Sequence, residues 1–189
     1  MKLDRTPLFN TLGRLAVLVM CLASAAAQAD RYGDVNQLVR AGKLTEAMTQ
    51  ADDHLAIQPN DPQMRFLKGV IERTTGQTSA AMATFTELTQ RYPELPEPYN
   101  NLAVLYFEQN QLDKARAALE MALRTNPRYA AAHENLGDVY ARLASDAYAQ
   151  AQQLDSANTG VGAKLNLIGP LVKMGRQGLA PAVGPLTIP

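Results

Sequence analysis

Between residues 30 and 155, apolar side chains recur at helical spacing. Tyr99, Leu102, Ala103 and Tyr106 fall at i, i+3, i+4 and i+7, the stripe of an amphipathic helix over 98–109. Ala115, Ala118, Leu119 and Ala122 make a second stripe that runs to Thr125. Asn110-Gln111 supplies the turn between them, as Gly42 and Gly76 do earlier, because Gly and Asn tolerate positive φ. Pro127 ends the second helix, since proline brings no amide hydrogen and disfavours helix in the residue before it. The pattern predicts pairs of helices joined by short turns.

The pairs repeat. Pro59, Pro93 and Pro127 are spaced by 34 residues, and so are Ala47, Ala81 and Ala115. Gly69, Ala103 and Gly137 keep the same interval, as do Leu102 with Leu136, Asn101 with Asn135, and Phe85 with Leu119. The recurring alanines let neighbouring helix backbones approach closely. After His133, Leu136-Gly137 and Tyr140, the spacing changes. Leu136, Tyr140, Leu143, Ala147, Ala151 and Leu154 keep unbroken 3–4 intervals, and no Gly or Pro lies between Asp138 and Asp155. This predicts one continuous helix from about Ala130 to Asp155, roughly 39 Å long at 1.5 Å per residue. Such a helix cannot fold back to begin another repeat, so it would end the array.

A period of 34 with these residues resembles the tetratricopeptide repeat family. The unit 96–129 supplies Tyr99, Leu102-Ala103, Tyr106, Ala115, Leu119, Ala122 and Pro127 at the family's positions 4, 7–8, 11, 20, 24, 27 and 32. The unit 62–95 keeps Gly69, Ala81, Phe85, Leu88 and Pro93, with a degenerate first helix, and 28–61 keeps Gly42, Ala47 and Pro59. The resemblance covers about 30–155. It implies an all-α, right-handed solenoid of helical hairpins, about three and a half repeats, with the fused unit 130–158 as the last. It says almost nothing about activity.

Beyond Asp155 the charge changes sign. Residues 30–155 carry 12 bases and 17 acids, whereas 156–189 hold no acid and only Lys164, Lys173 and Arg176. Leu165, Leu167, Ile168, Leu171 and Val172 suggest a short amphipathic helix within 159–174, a cap over the last apolar face. Residues 175–189, with Gly175, Gly178, Pro181, Gly184, Pro185 and Pro189, suggest a flexible or extended tail.

The chain has 189 residues, 18 Lys+Arg, 18 Asp+Glu and one cysteine. Zero net charge removes the broad basic footprint of a nucleic-acid binder. One cysteine excludes an intrachain disulfide framework and a Cys-rich zinc cluster. Lys2, Arg5 and Arg14 precede the apolar run Leu15 to Ala23, which leads to Ala27-Gln28-Ala29. A positive start, a short apolar centre and small residues at −3 and −1 describe a signal peptide over 1–29, cleaved after Ala29. The expectation is export to a bacterial periplasm, with no membrane span in the mature chain. The alternatives are an uncleaved anchor, for which Leu15 to Ala29 is short, and lipidation at Cys21, where Met20 precedes the cysteine in place of the small residue such signals favour.

No metal-binding or phosphate-loop spacing occurs, so no cofactor is expected. His54 and His133 stand at repeat positions that pack between helices, and the acids read as a solvated face. An enzyme would need a convergent site around His133, Glu134 and Asp138. The family resemblance implies that positions 5, 9 and 12 of each first helix line a concave groove. These are Tyr32, Asn36 and Val39, then Phe66, Val70 and Arg73, then Asn100, Val104 and Phe107, then Glu134 and Asp138. Exposed Phe66 and Phe107 would call for a partner protein or peptide, or for the N-terminus or the Pro-rich tail folding back over them. Asn101 and Asn135 recur at position 6, and a side-chain amide can hold an extended peptide backbone. Relatives that clamp C-terminal carboxylates need bases where this chain has Glu97 and Asn101, so apolar or weakly basic ligand segments are expected. Self-association through the groove or the fused helix is the structural alternative to an adaptor.

Overall fold

The computed structural model describes residues 31–175 and 178–186. The candidate signal segment 1–29, with Cys21, lies outside the described residues. Eight helices and no strand occur among the described residues. They are α1 (31–40), α2 (Leu44–Ile57), α3 (Pro62–Thr74), α4 (Thr78–Arg91), α5 (Pro96–Glu108), α6 (Leu112–Thr125), α7 (Ala130–Leu154) and α8 (Thr159–Gly175). Consecutive helices pack in antiparallel pairs, each helix from α2 on lying against the next. The architecture is the helical-hairpin solenoid that the period implies.

The turn residues act as their φ preference requires. Gly42, Gly76 and Asn110 adopt φ of 73°, 75° and 58°. At each, the next amide reaches back five residues, as in Lys43 N to Leu38 O at 2.9 Å and Gln111 N to Tyr106 O at 2.8 Å. This is the wrap that closes a helix through a left-handed residue. The same register then meets Ala144. Alanine in the left-handed region costs about 1–2 kcal/mol, and no turn forms there. Helix α7 runs unbroken for 25 residues, about 38 Å at 1.5 Å per residue.

Two apolar clusters make the core. Val35, Ala47, Ala51, Met64, Leu67 and Ile71 hold α1 to α3 together. A larger cluster runs from Phe66 and Phe85 through Leu102, Val104 and Leu119 to Ala132 and Val139. Leu179 and Leu186 of the tail belong to it.

The C-terminal segment differs from its sequence reading in what its helix covers. Helix α8 spans Thr159–Gly175, with Pro170 inside it. It packs on α7, yet it buries only Val161 and Gly175. Its outer face shows Leu167, Leu171 and Met174 to solvent, Leu167 being 77% exposed. The cap therefore adds apolar surface instead of ending it. Of the flexible or extended alternatives for the tail, the structure has the extended one: residues 179–186 run along the solenoid with both leucines buried.

Position 8 of the repeat gives a stability test. A Cβ on Gly69 would stand 2.7 Å from Cε1 of buried Phe85, whereas one on Gly137 would meet nothing within 4 Å. Gly69→Ala should lower stability by about 1–3 kcal/mol through overpacking, although Ala is the better helix former. Gly137→Ala should raise it by up to about 1 kcal/mol. Urea unfolding of the two variants measures both, and shifts of the same sign would contradict this packing.

A concave face that holds an extended backbone

Helices α1, α3, α5 and α7 are the first helices of their hairpins, and their inner faces carry the tail. Asn135 on α7 donates through Nδ2 to the Ala180 carbonyl at 2.9 Å and accepts the Ala180 amide at 2.8 Å. Asn101 on α5 repeats this two-sided pairing with Ala182, donating to its carbonyl at 3.1 Å and accepting its amide at 3.0 Å. Residues two apart in an extended chain present their backbone groups on the same edge, so alternate residues meet successive asparagines. Asn100 adds a third amide: it donates to the Ala180 carbonyl at 3.0 Å, and its Oδ1 accepts from Asn135 at 2.8 Å. Gln63 on α3 forms the last rung, accepting the Leu186 amide at 2.7 Å. The tail thus runs from the fourth unit toward the second, against the chain order of the repeats.

All four amides are buried, the three asparagines completely and Gln63 at 4% exposure. A buried amide costs free energy unless its donor and acceptor are matched, and a peptide group matches both at once. Leu179 and Leu186 anchor the ends of the segment at 4% and 7% exposure. Between them lie only small, apolar or imino residues, Ala180 to Pro185. The contact is neutral on both sides.

The other residues singled out by sequence fall in different places. Phe66 is not exposed. Its ring is buried against Phe85, with centroids 5.7 Å apart and planes tilted by 55°. The degenerate first helix of that unit has Arg65 and Lys68 where the repeat packs apolar residues, so Phe66 fills the core instead. Val70 and Val104 are buried in the same cluster, and Phe107 is half-buried beside it. Arg73 sits 3.9 Å from Glu108 of α5, and no hydrogen bond joins it to the tail among the described residues. Tyr32 and Asn36 line a cleft of about 550 Å³ with Asp61, Pro185 and Leu186, at the far end of the tail. Asn36 spends its amide on the Tyr32 carbonyl of its own helix at 3.0 Å. Asp138 lies where α8 ends, its carboxyl within van der Waals reach of a Cβ on Gly175. Burial, and then the charge of Glu134, push the Asp138 carboxyl above the usual carboxylate range.

The histidines divide. His54 is buried, its Nε2 2.6 Å from Oδ2 of Asp61. The Tyr32 hydroxyl donates to the same oxygen at 2.6 Å, while Oδ1 accepts the Gln63 and Met64 amides at 2.9 and 3.2 Å and caps α3. Burial first, then the hydrogen bond to Asp61 and its charge, hold the Tyr32 phenol well above its ordinary value. One carboxylate thereby ties α1, α2 and α3. His133 does not pack between helices: it is exposed, with Nε2 3.0 Å from the Pro127 carbonyl. The fused α7 brings no following helix to cover it. The acids are not all solvated either. Glu72 is buried and accepts the Thr84 hydroxyl at 2.7 Å, and Glu97 is buried at the start of α5. Gln63 was missed by the sequence reading. The available clue is an amide at repeat position 2, on the same inner face as the asparagines. No group of three or more His, Cys, Asp or Glu that could hold a metal occurs among the described residues.

A right-handed array of helical hairpins whose first helices line a backbone-holding concavity defines a class of repeat protein. Three family models match it, described as "Tetratricopeptide repeat" over 35–96 and 84–117 and as "TPR repeat" over 104–143. Together the matches run from residue 35 to 143, and that stretch is built of tetratricopeptide repeats. A curated relative from Arabidopsis thaliana, the tetratricopeptide repeat domain-containing protein PYG7 of the chloroplast, is 37% identical over 70 residues. The match takes in 34% of this chain and 23% of that protein, so the chain spans about a quarter of its length. Among solved structures, the Thermus thermophilus protein TTC0263 superposes with a TM-score of 0.57 at 25% identity, over 78% of this chain and 82% of that one. The first repeat domain of Spaghetti (RPAP3), bound to the HSP90 peptide SRMEEVD, gives 0.55 at 17% identity, over 60% and 90%.

The rungs predict slow exchange in a segment with no secondary structure. The Ala180, Ala182 and Leu186 amides should exchange with deuterium roughly 100-fold more slowly than an open chain. Asn135→Ala should release Ala180. Exchange at open-chain rates in the unaltered protein would contradict the docking.

Proposed function

We propose that this protein is an exported, non-catalytic interaction scaffold whose concave face binds an extended segment of a partner protein. One observation carries the reading: buried side-chain amides on successive inner helices pair with both backbone groups of an extended chain. Such pairing reads a backbone and its spacing, not a reactive group. The RPAP3 domain, which holds an HSP90 peptide, supports the mode of binding. Its peptide SRMEEVD is acidic. Here Glu97 and Asn101 stand where the family's carboxylate clamp needs bases, so the ligand class is uncharged. The basic start, short apolar run and Ala27-Gln28-Ala29 support export, with residence in the periplasm after cleavage at Ala29. No described helix is long and apolar enough to cross a membrane.

A second reading, a structural homo-oligomer of the envelope, is favoured by one feature: the bare stripe Leu167, Leu171 and Met174 on α8.

A photo-crosslinking residue placed at Asn36, in the cleft beside Pro185 and Leu186, at Leu171 and at exposed Ala117 in the native host separates the two. The scaffold reading expects the Asn36 position to give an adduct with a second protein, in the periplasmic fraction, on a chain that starts at Asp30. Ala117 should give none. Self-adducts from Leu171 alone would favour the oligomer, and adducts equal at all three positions would overturn the groove.

A further inference from the structure

We infer that residues 179–186 are a built-in occupant of the groove, and that the external ligand is an uncharged extended segment of the same design that displaces them. This rests on the scaffold reading and specifies its ligand and its control. The tail is a template. It offers an apolar anchor at Leu179, backbone pairs at Ala180 and Ala182, and a second apolar anchor at Leu186, seven residues after the first. Residues 178–189 contain no charged side chain. The acids nearest its entry, Glu134 and Asp138 on α7, disfavour an acidic segment there.

The tail fits with one defect. The Gln63 amide oxygen accepts from Leu186, but its Nε2, on a side chain buried at 4% exposure, has no hydrogen-bond partner among the described residues. Among the described residues, Asn101 and Asn135 are paired on both sides, whereas Gln63 is paired on one. A segment that presents a carbonyl to Nε2 as well as an amide to Oε1 would complete the fourth rung, and this is where a competitor gains on the tail. The tail holds its place because it is tethered. It follows α8 directly, so it faces the groove at an effective concentration on the order of millimolar, and an external ligand must overcome that. Exchange of tails between two copies would satisfy the same rungs and is distinguished below.

The test uses the full chain and a fluorescent synthetic peptide of residues 178–189. Leu179→Asp with Leu186→Asp should expel the tail, and this variant should bind the peptide at least tenfold more tightly than the unaltered chain. Adding Asn101→Ala and Asn135→Ala to the released variant should abolish that binding. Because the aspartates perturb the core, a second variant carries Ala180→Pro and Ala182→Pro. It deletes two N–H donors, leaves both leucines, and should act in the same direction. Equal binding by the unaltered and released chains overturns the built-in occupant and leaves the scaffold reading standing. Absence of binding to both released variants, with their helix content intact, overturns the groove itself. Uptake by the unaltered chain only as a dimer dissociates assigns the tail to a second copy and overturns the intramolecular account.

Discussion

A buried side-chain amide must find both a donor and an acceptor, and on the inner face of this solenoid no neighbouring helix supplies the full set. Asn100, Asn101 and Asn135 are completely buried, and what completes their pairing is the backbone of Ala180 and Ala182. Each amide left unpaired in such a place would cost about 1–3 kcal/mol. The path of the tail and the burial of its leucines both follow from this one requirement. The tail has no regular structure of its own, and it is ordered because the repeats offer it a row of partners at the spacing of an extended chain.

The two ends of the array are built by different means. At the first hairpins, the Asp61 carboxylate collects the Tyr32 hydroxyl, the His54 ring and two α3 amides, so a polar knot holds three helices where the apolar cluster is small. At the other end, the absence of a left-handed residue at Ala144 makes one long helix from what would be a hairpin. That helix carries α8, which directs the chain back toward the concave face. A turn at Ala144 would leave the tail a different departure point.

The fold was legible because its determinants are local. Periodic stripes, left-handed turn residues at 42, 76 and 110, and prolines at 59, 93 and 127 each constrain a few neighbouring residues, and their agreement sets the architecture. The unbroken spacing after Leu136 foretold the long helix for the same reason. The site was legible only in outline. Asn101 and Asn135 stood out by their interval, but a family register could not say that Phe66 turns inward to Phe85. That depends on Arg65 and Lys68 having left their usual packing roles. His133 failed by the opposite route: its expected cover is the helix that α7 absorbs. The tail's composition of glycine, alanine and proline signals an extended chain. Its docking rests on residues some 45 to 123 positions away, which no local pattern encodes.

The central claim is that side-chain amides on successive inner helices clasp the tail's backbone. Nuclear Overhauser contacts in the full chain test it at the atoms concerned. The account predicts cross-peaks from the Asn135 side-chain amide protons to Ala180 and from those of Asn101 to Ala182, with slow exchange of the amide protons with water. Sharp, open-chain resonances for residues 179–186, with no contact to either asparagine, would contradict it.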